Sequence, residues 1–325
     1  MVTSNATSNV TIYEIEMDPV NEKLLKKQTL EILKDLRPNW DQNLIEFKVC
    51  FVFLNCKSNR LHELDTITKL EKVGIAAPLH AKFRNGIICG YLEGETLDSS
   101  TVRKPEIIEK ICEAMARMHQ IPLEKDQEPF IFDKMRQFLD NLPKSFPSEK
   151  KNLLYQRYFE SNDLEEQFEH LKQLLTALDN PIVFCHNDLL VYNILYDDKK
   201  SKSIHFIDYE YASPNYQLFE IANHFCEYAG VDEPDYSLCP SEAEKKEFIQ
   251  KYLTFYQKRV PTAEELNQTL AMVPFFEAAS HFFWSIWALI QAENSSIDFD
   301  YLKYAVVRHS MFAKVITLIG ENNTI

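Results

Sequence analysis

Two short stretches of this chain, separated by a polar gap, decide how it folds. Residues 184–196 read FCHNDLLVYNILY, and residues 204–211 read IHFIDYEY. Each contains an apolar run of strand length, and the segment between them, DDKKSKS at residues 197–203, has the composition of a hairpin turn. Asn193 opens the first run and Asp208 closes the second. An antiparallel hairpin would therefore bring these two side chains to the same end.

Asp188 lies five residues before Asn193 and adds a second carboxylate upstream of the hairpin. Amide and carboxylate oxygens suit Mg²⁺, which keeps few protein ligands and binds substrate phosphates as well. We therefore interpret the segment as the catalytic loop of a phosphotransferase, with Asn193 and Asp208 as metal ligands. The alternative, a polar hairpin with two solvated acids, fits less well because these acids border apolar strands.

The composition limits the function classes. The chain has 325 residues, of which 45% are apolar, enough for two modest domains or one two-lobed domain. A net charge of −14 argues against a nucleic-acid surface and is compatible with a cationic small substrate. The seven scattered cysteines indicate reduced thiols and a cytoplasmic protein. Pro274, Glu277 and His281 interrupt the most apolar segment, residues 271–292, so we expect a buried helix there and no membrane span.

The hydrophobic pattern predicts an α+β fold with two lobes. A small strand-rich N-terminal lobe should cover residues 1–94. It should contain a frayed tail at 1–20, a helix at 21–36, a strand at 45–54, a second helix at 62–73 and a hairpin at 79–92. A large helical C-terminal lobe over residues 95–325 should contain helices at 105–119, 164–178, 217–228, 241–256, 263–272, 275–292 and 300–318.

Two further stretches carry a family resemblance. Residues 223–238 read NHFCEYAGVDEPDYSL, and residues 279–308 read ASHFFWSIWALIQAENSSIDFDYLKYAVVR. Together with the opening stretches they resemble the choline/ethanolamine kinase family, and its ethanolamine-type members more than its choline-type members. The resemblance implies a protein-kinase-like two-lobed fold, ATP and Mg²⁺ as cofactors, an amino alcohol as substrate, and a role in phosphatidylethanolamine synthesis. A homodimer is left open.

The resemblance also implies roles for individual residues. Asp188 would orient the substrate hydroxyl and accept its proton. The ammonium group would meet an aromatic and acidic pocket formed by Tyr211, Glu227, Trp284, Trp287 and Tyr304. From spacing alone, two tryptophans three residues apart are more typical of a helix core, and only the resemblance favours the pocket. The implied nucleotide contacts are Lys48, Glu63, Tyr91, Leu92 and Glu93, although a solvated Lys48 fits the sequence equally well.

The N-terminal lobe departs from the family pattern. The first glycine of the chain is Gly74, whereas the family has a Gly-containing turn over the ATP phosphates, where the backbone must approach closely. We therefore expect a reduced lobe that lacks this hairpin. Glu220 stands where the family usually has Asp. Choline or another amino alcohol as substrate, an aminoglycoside as substrate, and a non-catalytic binding or regulatory role all stay open.

Overall fold

The computed structural model of the chain describes residues 2–4, 11–17, 21–41, 45, 60–84, 86–146, 148–160 and 162–322. These form two compact units. The smaller unit combines Met1–Glu95 with Leu195–Glu210, and the larger one combines Thr96–Ile194 with Tyr211–Ile325. Lys48 and nearly all of the predicted strand over 45–54 lie outside the described residues.

A four-stranded sheet and two helices form most of the smaller unit. The sheet order is β1-β2-β3-β4, with β1 Val2–Ser4, β2 Thr11–Tyr13, β3 Leu79–Phe83 and β4 Gly86–Cys89. β2 runs parallel to β3, and β3 is antiparallel to β4, which confirms the hairpin predicted at residues 84–86. The helices are α1 Glu22–Leu36 and α2 Arg60–Lys72.

The prediction of a frayed tail over residues 1–20 is wrong for the part that the structure describes. β1 and β2 join the sheet, and Met17 is only 2% exposed in a core with Ile32, Ala81 and Phe83. The β-branched and aromatic residues of β2 suit a pleated, half-buried surface. Helix α1 then begins after Asn21, whose side chain accepts a hydrogen bond from the backbone N–H of Leu24 at 3.1 Å.

The second hairpin forms where the sequence predicts it. β7 Ile194–Tyr196 pairs with β8 Ile204–Phe206, and β5 Glu95–Thr96 completes a three-stranded sheet in the order β5-β7-β8. Asp197 organises the turn, because its carboxylate accepts backbone N–H groups from Lys199, Lys200 and Ser201. The Asp197 N–H in turn donates to the Ser203 carbonyl at 3.0 Å.

The larger unit is mainly helical, with one antiparallel strand pair, β6 Ile182–Cys185 and β9 Ser213–Tyr216. Its helices are α3 Pro105–His119, α4 Phe130–Asp140, α5 Glu149–Tyr155, α6 Leu164–Thr176, α7 Gln217–Cys226, α8 Glu242–Gln257, α9 Ala263–Asn294 and α10 Tyr301–Asn322. A π-helical turn follows α5 over Gln156–Glu160. The core is rich in fully or almost fully buried aromatic side chains, namely Phe219, Phe225, Phe276, Phe282 and Phe283.

The sequence predicts two helices over residues 263–272 and 275–292, and the structure contains one. α9 runs through Pro274 without a break, beginning with a capping box of Thr262 and Glu265. Val273 and Phe276 on either side of the proline are buried, so packing outweighs the one backbone hydrogen bond that proline removes.

Among the described residues, α9 alone is long and apolar enough to cross a membrane by length and composition. Within its most apolar window, 72% of the residues are buried inside the protein, and the core helix of a globular protein meets the same criteria.

Candidate active site

The loop that follows β6 is held from below by the carboxylate of Glu220 on α7. The Glu220 side chain accepts the backbone N–H of His186 through Oε2 and that of Asn187 through Oε1, the latter at 3.2 Å. Asn187 adopts a left-handed backbone conformation with φ 67°, and its Nδ2 donates to the carbonyls of Tyr211 (2.9 Å) and Ser213 (3.2 Å). The longer Glu in place of Asp therefore still braces the loop.

Buried histidines also support this loop. The Nδ1 of His224 donates to the Leu189 carbonyl at 3.0 Å, and burial lowers the pKa of His224 to about 4. The imidazole is thus neutral near pH 7, and its contact is structural. His119 lies behind Glu220, with Nε2 3.7 Å from Oε2, and its Nδ1 is 2.6 Å from the Tyr252 hydroxyl.

Asp188 and Asn193 are brought together at the end of the loop. The Asn193 Nδ2 donates to the Asp188 carbonyl at 2.9 Å and to its Oδ2 at 3.3 Å. A short 3-10 turn, Val191–Asn193, sets this distance. Because the amide nitrogen faces Asp188, the Oδ1 of Asn193 is the atom that could bind a cation.

Asp208 belongs to the smaller unit, whereas Asp188 and Asn193 belong to the larger one. It follows β8 by two residues, is exposed, and has a left-handed φ of 66°. Within the described part of the chain, its carboxylate accepts no hydrogen bond. The expected meeting of Asp208 with Asn193 stays a prediction.

The predicted aromatic residues of the amine pocket form a continuous cluster. The ring centroids of Tyr211 and Trp284 are 5.5 Å apart, and those of Trp284 and Trp287 are 5.3 Å apart, all in edge-to-face contact. Trp284 is buried and Trp287 half-buried. The ammonium of Lys134 lies 5.5 Å from the Tyr211 ring centroid, so this aromatic face already receives a cation.

Glu227 and Tyr304 meet on a residue that sequence reasoning missed, Arg308 on α10. The Arg308 Nη1 donates to the Glu227 Oε1 at 2.8 Å and to the Tyr304 hydroxyl at 3.4 Å. Burial raises the pKa of Tyr304, and the negative charges of Glu227 and Asp188 act in the same direction. The charge of Asp188 in the loop therefore acts on one residue of the predicted amine pocket. The sequence signal that could have identified it is an arginine in the mainly apolar stretch YAVVRHSMF, residues 304–312.

The predicted nucleotide contacts lie in the smaller unit or outside the described residues. Tyr91, Leu92 and Glu93 form the extended segment between β4 and β5, and Glu93 pairs with Lys200 in the hairpin turn. Gly94 follows with φ +140°, and a Cβ there would lie 2.9 Å from the backbone of Tyr196, so only glycine fits. The chain passes through Glu63 in α2, but its side chain is not among the described ones.

One cluster of potential metal ligands lies beneath the loop in the described part of the chain. His119, Cys185 and Glu220 place their ligand atoms within 4.8 Å of one another, fully buried. Burial raises the pKa of the Cys185 thiol, which contacts two backbone carbonyls at 3.7 Å. Both Glu220 oxygens already accept backbone N–H groups of the loop. We therefore interpret this cluster as structural support for the loop and not as a metal site.

The sequence of the chain matches one family model over most of its length. The model for choline/ethanolamine kinases matches residues 55–313. The chain belongs to the choline/ethanolamine kinase family. It is 36% identical over 318 residues to a probable ethanolamine kinase of Nematostella vectensis, covering 94% of this chain and 91% of that protein. It is also 36% identical to an ethanolamine kinase of Drosophila melanogaster, covering 91% of this chain but 59% of the longer fly protein.

Solved structures of this kinase family share the fold. The ethanolamine kinase of Plasmodium vivax matches with a TM-score of 0.70 and 29% identity over 78% of this chain and 73% of that one. The choline kinase of Cryptosporidium parvum matches with a TM-score of 0.72 and 21% identity over 91% of this chain and 97% of that one. The predictions of family and of a kinase-like α+β fold are confirmed.

Proposed function

We propose that this protein transfers a phosphoryl group from ATP to the hydroxyl of ethanolamine, giving phosphoethanolamine for phosphatidylethanolamine synthesis. The observation that carries the proposal is that one compact unit contains both the Asp188–Asn193 loop and the aromatic and acidic cluster around Trp284 and Glu227. The relatives at 32–36% identity that are named ethanolamine kinases support the choice of amine.

Asp188 orients the attacking hydroxyl and accepts its proton, and Asn193 keeps the Asp188 carboxylate in place. Positioning and charge neutralisation supply most of the rate in phosphoryl transfer. Asn193 and Asp208 would hold Mg²⁺, since both offer hard oxygen donors. When bound, Mg²⁺ neutralises charge on the phosphates.

The nucleotide would be held by residues of the N-terminal lobe, residues 1–94. The proposed contacts remain Lys48, Glu63, Tyr91, Leu92 and Glu93. Glu93 is already paired with Lys200 in the hairpin turn, and both side chains of this ion pair are exposed. Cytoplasmic residence, and a homodimer, remain predictions.

The ammonium end of ethanolamine would lie against the faces of Tyr211, Trp284 and Trp287. Aromatic faces attract an ammonium by about 0.5–2 kcal/mol each. Among the described residues, the Oε2 of Glu227 accepts no hydrogen bond, so this oxygen is available to an ammonium N–H.

The direct test is phosphate transfer from Mg²⁺-ATP to ethanolamine and to choline, measured through the release of ADP. We expect turnover on ethanolamine, a higher kcat/KM for ethanolamine than for choline, and a loss of about 10²–10⁴-fold in kcat for Asp188→Asn. A folded wild-type protein that turns over neither amine would overturn the proposal. Equal activity of Asp188→Asn would overturn the role of Asp188.

One observation favours a second function, amine binding without catalysis. Residues 1–73 contain no glycine, and a loop that covers ATP phosphates usually needs one. Thermal unfolding with and without saturating Mg²⁺-ATP separates the two functions, because a ligand that binds the folded state raises Tm. Stabilisation by ethanolamine but not by Mg²⁺-ATP would favour the binding function.

A further inference from the structure

One buried arginine connects most of the amine pocket. Arg308 is 1% exposed, and its two Nη atoms make three hydrogen bonds. Nη1 donates to Glu227 at 2.8 Å and to the Tyr304 hydroxyl at 3.4 Å, and Nη2 donates to the Ser280 Oγ at 2.8 Å.

The third bond continues to the aromatic side of the pocket. The Ser280 hydroxyl donates to the Asn223 Oδ1 at 2.7 Å, and the same oxygen accepts the indole N–H of Trp284 at 2.8 Å. Arg308 therefore fixes Glu227 and Tyr304 directly and Trp284 through two intermediates. A single side chain sets the relative positions of three residues proposed to surround the ammonium.

Arg308 also cancels the charge of Glu227. Both side chains are almost completely buried, at 2% and 3% exposed, and they form a close ion pair. Glu227 thus contributes little net negative potential to the pocket. What it offers a ligand is one oxygen, Oε2, in a fixed direction, since Oε1 is held by the guanidinium.

This geometry points to a role for Arg308 as the residue that sets ammonium selectivity, an inference that rests on the proposed amine kinase function. A carboxylate that is fixed in place and neutralised by an arginine binds a ligand that donates an N–H more tightly than a ligand that carries positive charge alone. Ethanolamine carries three N–H donors on its ammonium, whereas choline carries none. Arg308 is a positioning residue: it acts on the ligand through Glu227, Tyr304 and Trp284.

The test measures binding and turnover separately across a series with decreasing N–H donors: ethanolamine, N-methylethanolamine, N,N-dimethylethanolamine and choline. Kd values by titration calorimetry and kcat/KM values are obtained for wild type, Arg308→Met and Arg308→Lys. The Met variant removes the charge and leaves Glu227 without its ion-pair partner. The Lys variant keeps the charge and the ion pair with Glu227 but gives up the hydrogen bonds to Tyr304 and Ser280.

We expect wild type to lose affinity with each added methyl group. In Arg308→Met, ethanolamine affinity should fall about tenfold or more, because a hydrogen bond to a charged group is lost from its fixed direction. Choline affinity should stay the same or rise, so the ratio of the two Kd values should shrink by at least tenfold. Arg308→Lys should keep the wild-type ratio within about threefold, and the KM for ATP should not change in either variant.

Lys245→Met is the matched control. Lys245 and Glu277 form another largely buried ion pair in the same unit, 2.9 Å apart, and neither touches the proposed amine contacts. This variant should lose stability without changing amine selectivity.

The inference would be overturned by an equal loss of affinity for both amines in Arg308→Met, by an unchanged ratio of the two Kd values, or by an equal loss of that ratio in Arg308→Lys. If Arg308→Met does not fold, Arg308→Gln, which is also uncharged, replaces it with the same expected fall in the ratio. Absence of turnover in wild type would overturn the kinase function, while the Kd ratios would still test Arg308.

Discussion

At the scale of single residues, Glu220 is the side chain on which the loop containing Asp188 depends most directly. It accepts two consecutive backbone N–H groups in a site without solvent, with His119 behind it. An unpartnered buried N–H group is costly, so the loop conformation should follow the chemistry of this carboxylate.

Glu220→Gln should therefore lower the free energy of unfolding by about 2–4 kcal/mol, because one amide N–H group would face a backbone N–H donor. Urea denaturation checks this, together with kcat, which should fall as the loop loses its support. Gln217→Glu on the same helix, also buried, serves as a comparison for the general cost of changing charge in α7. A Glu220→Gln protein with wild-type stability would show that the carboxylate does not hold the loop.

The sequence identified many of these residues but not all of their relations. Asp188 and Asn193 were predicted from their spacing, and the structure places them in contact. Arg308 was missed, because its importance comes from three partners that are 4, 28 and 81 residues away. A pattern based on local spacing cannot reveal a side chain that joins three separate elements.

At the scale of elements, helix α9 shows tertiary packing overriding a local signal. Pro274 predicts a helix boundary, and the buried neighbours on each side keep the helix continuous. β2 shows the same effect, since only its pairing with β3, far along the chain, distinguishes it from a tail. The hairpins and α3, by contrast, have local turn and cap signals and were predicted closely.

Pro274→Ala should raise Tm, because alanine restores the missing backbone N–H inside a helix that already continues through this position. The expected gain is about 1 kcal/mol after the greater freedom of the unfolded chain is subtracted. Differential scanning calorimetry measures it, and amine affinity should not change. A loss of stability would mean that the proline conformation is itself required by the core.

Gly94→Ala should destabilise the smaller unit, because the new Cβ would meet the Tyr196 backbone at 2.9 Å in a conformation that L-residues avoid. We expect a loss of about 2 kcal/mol or more in chemical denaturation. Gly320→Ala is the matched control: among the described residues, no atom outside the backbone of its own helix lies within 4 Å of its Cβ position in α10, so it should stabilise by up to about 1 kcal/mol. Similar effects of both substitutions would contradict the strain argument.

At the scale of the whole molecule, buried histidines should make the fold sensitive to acid. Burial lowers the pKa of His224 and of His309 to about 4, and that of His281 in the same direction. Between about pH 6.5 and 4 the unfolded chain binds protons that the folded chain does not. Stability is therefore complete above pH 6.5 and is lost as the pH falls through this window.

His224→Asn isolates one contribution, because the Asn amide can still donate to the Leu189 carbonyl but does not titrate. The fall in unfolding free energy between pH 6.5 and 4 should be smaller in this variant, by up to about 3 kcal/mol. Urea midpoints at several pH values measure the difference. Parallel pH profiles of the variant and the wild type would rule out His224 as a source of the acid sensitivity.

The division into two units has a practical consequence for dissecting the protein. The smaller unit is discontinuous in sequence, since it takes Leu195–Glu210 from within the span of the larger one. A fragment that ends at Glu95 would lack β8 and Asp208. The complementary fragment would contain them but would lack the four-stranded sheet β1-β2-β3-β4 of the same unit. Protease nicking near residue 95 should thus give pieces that stay associated, and autonomous expression of either half should fail.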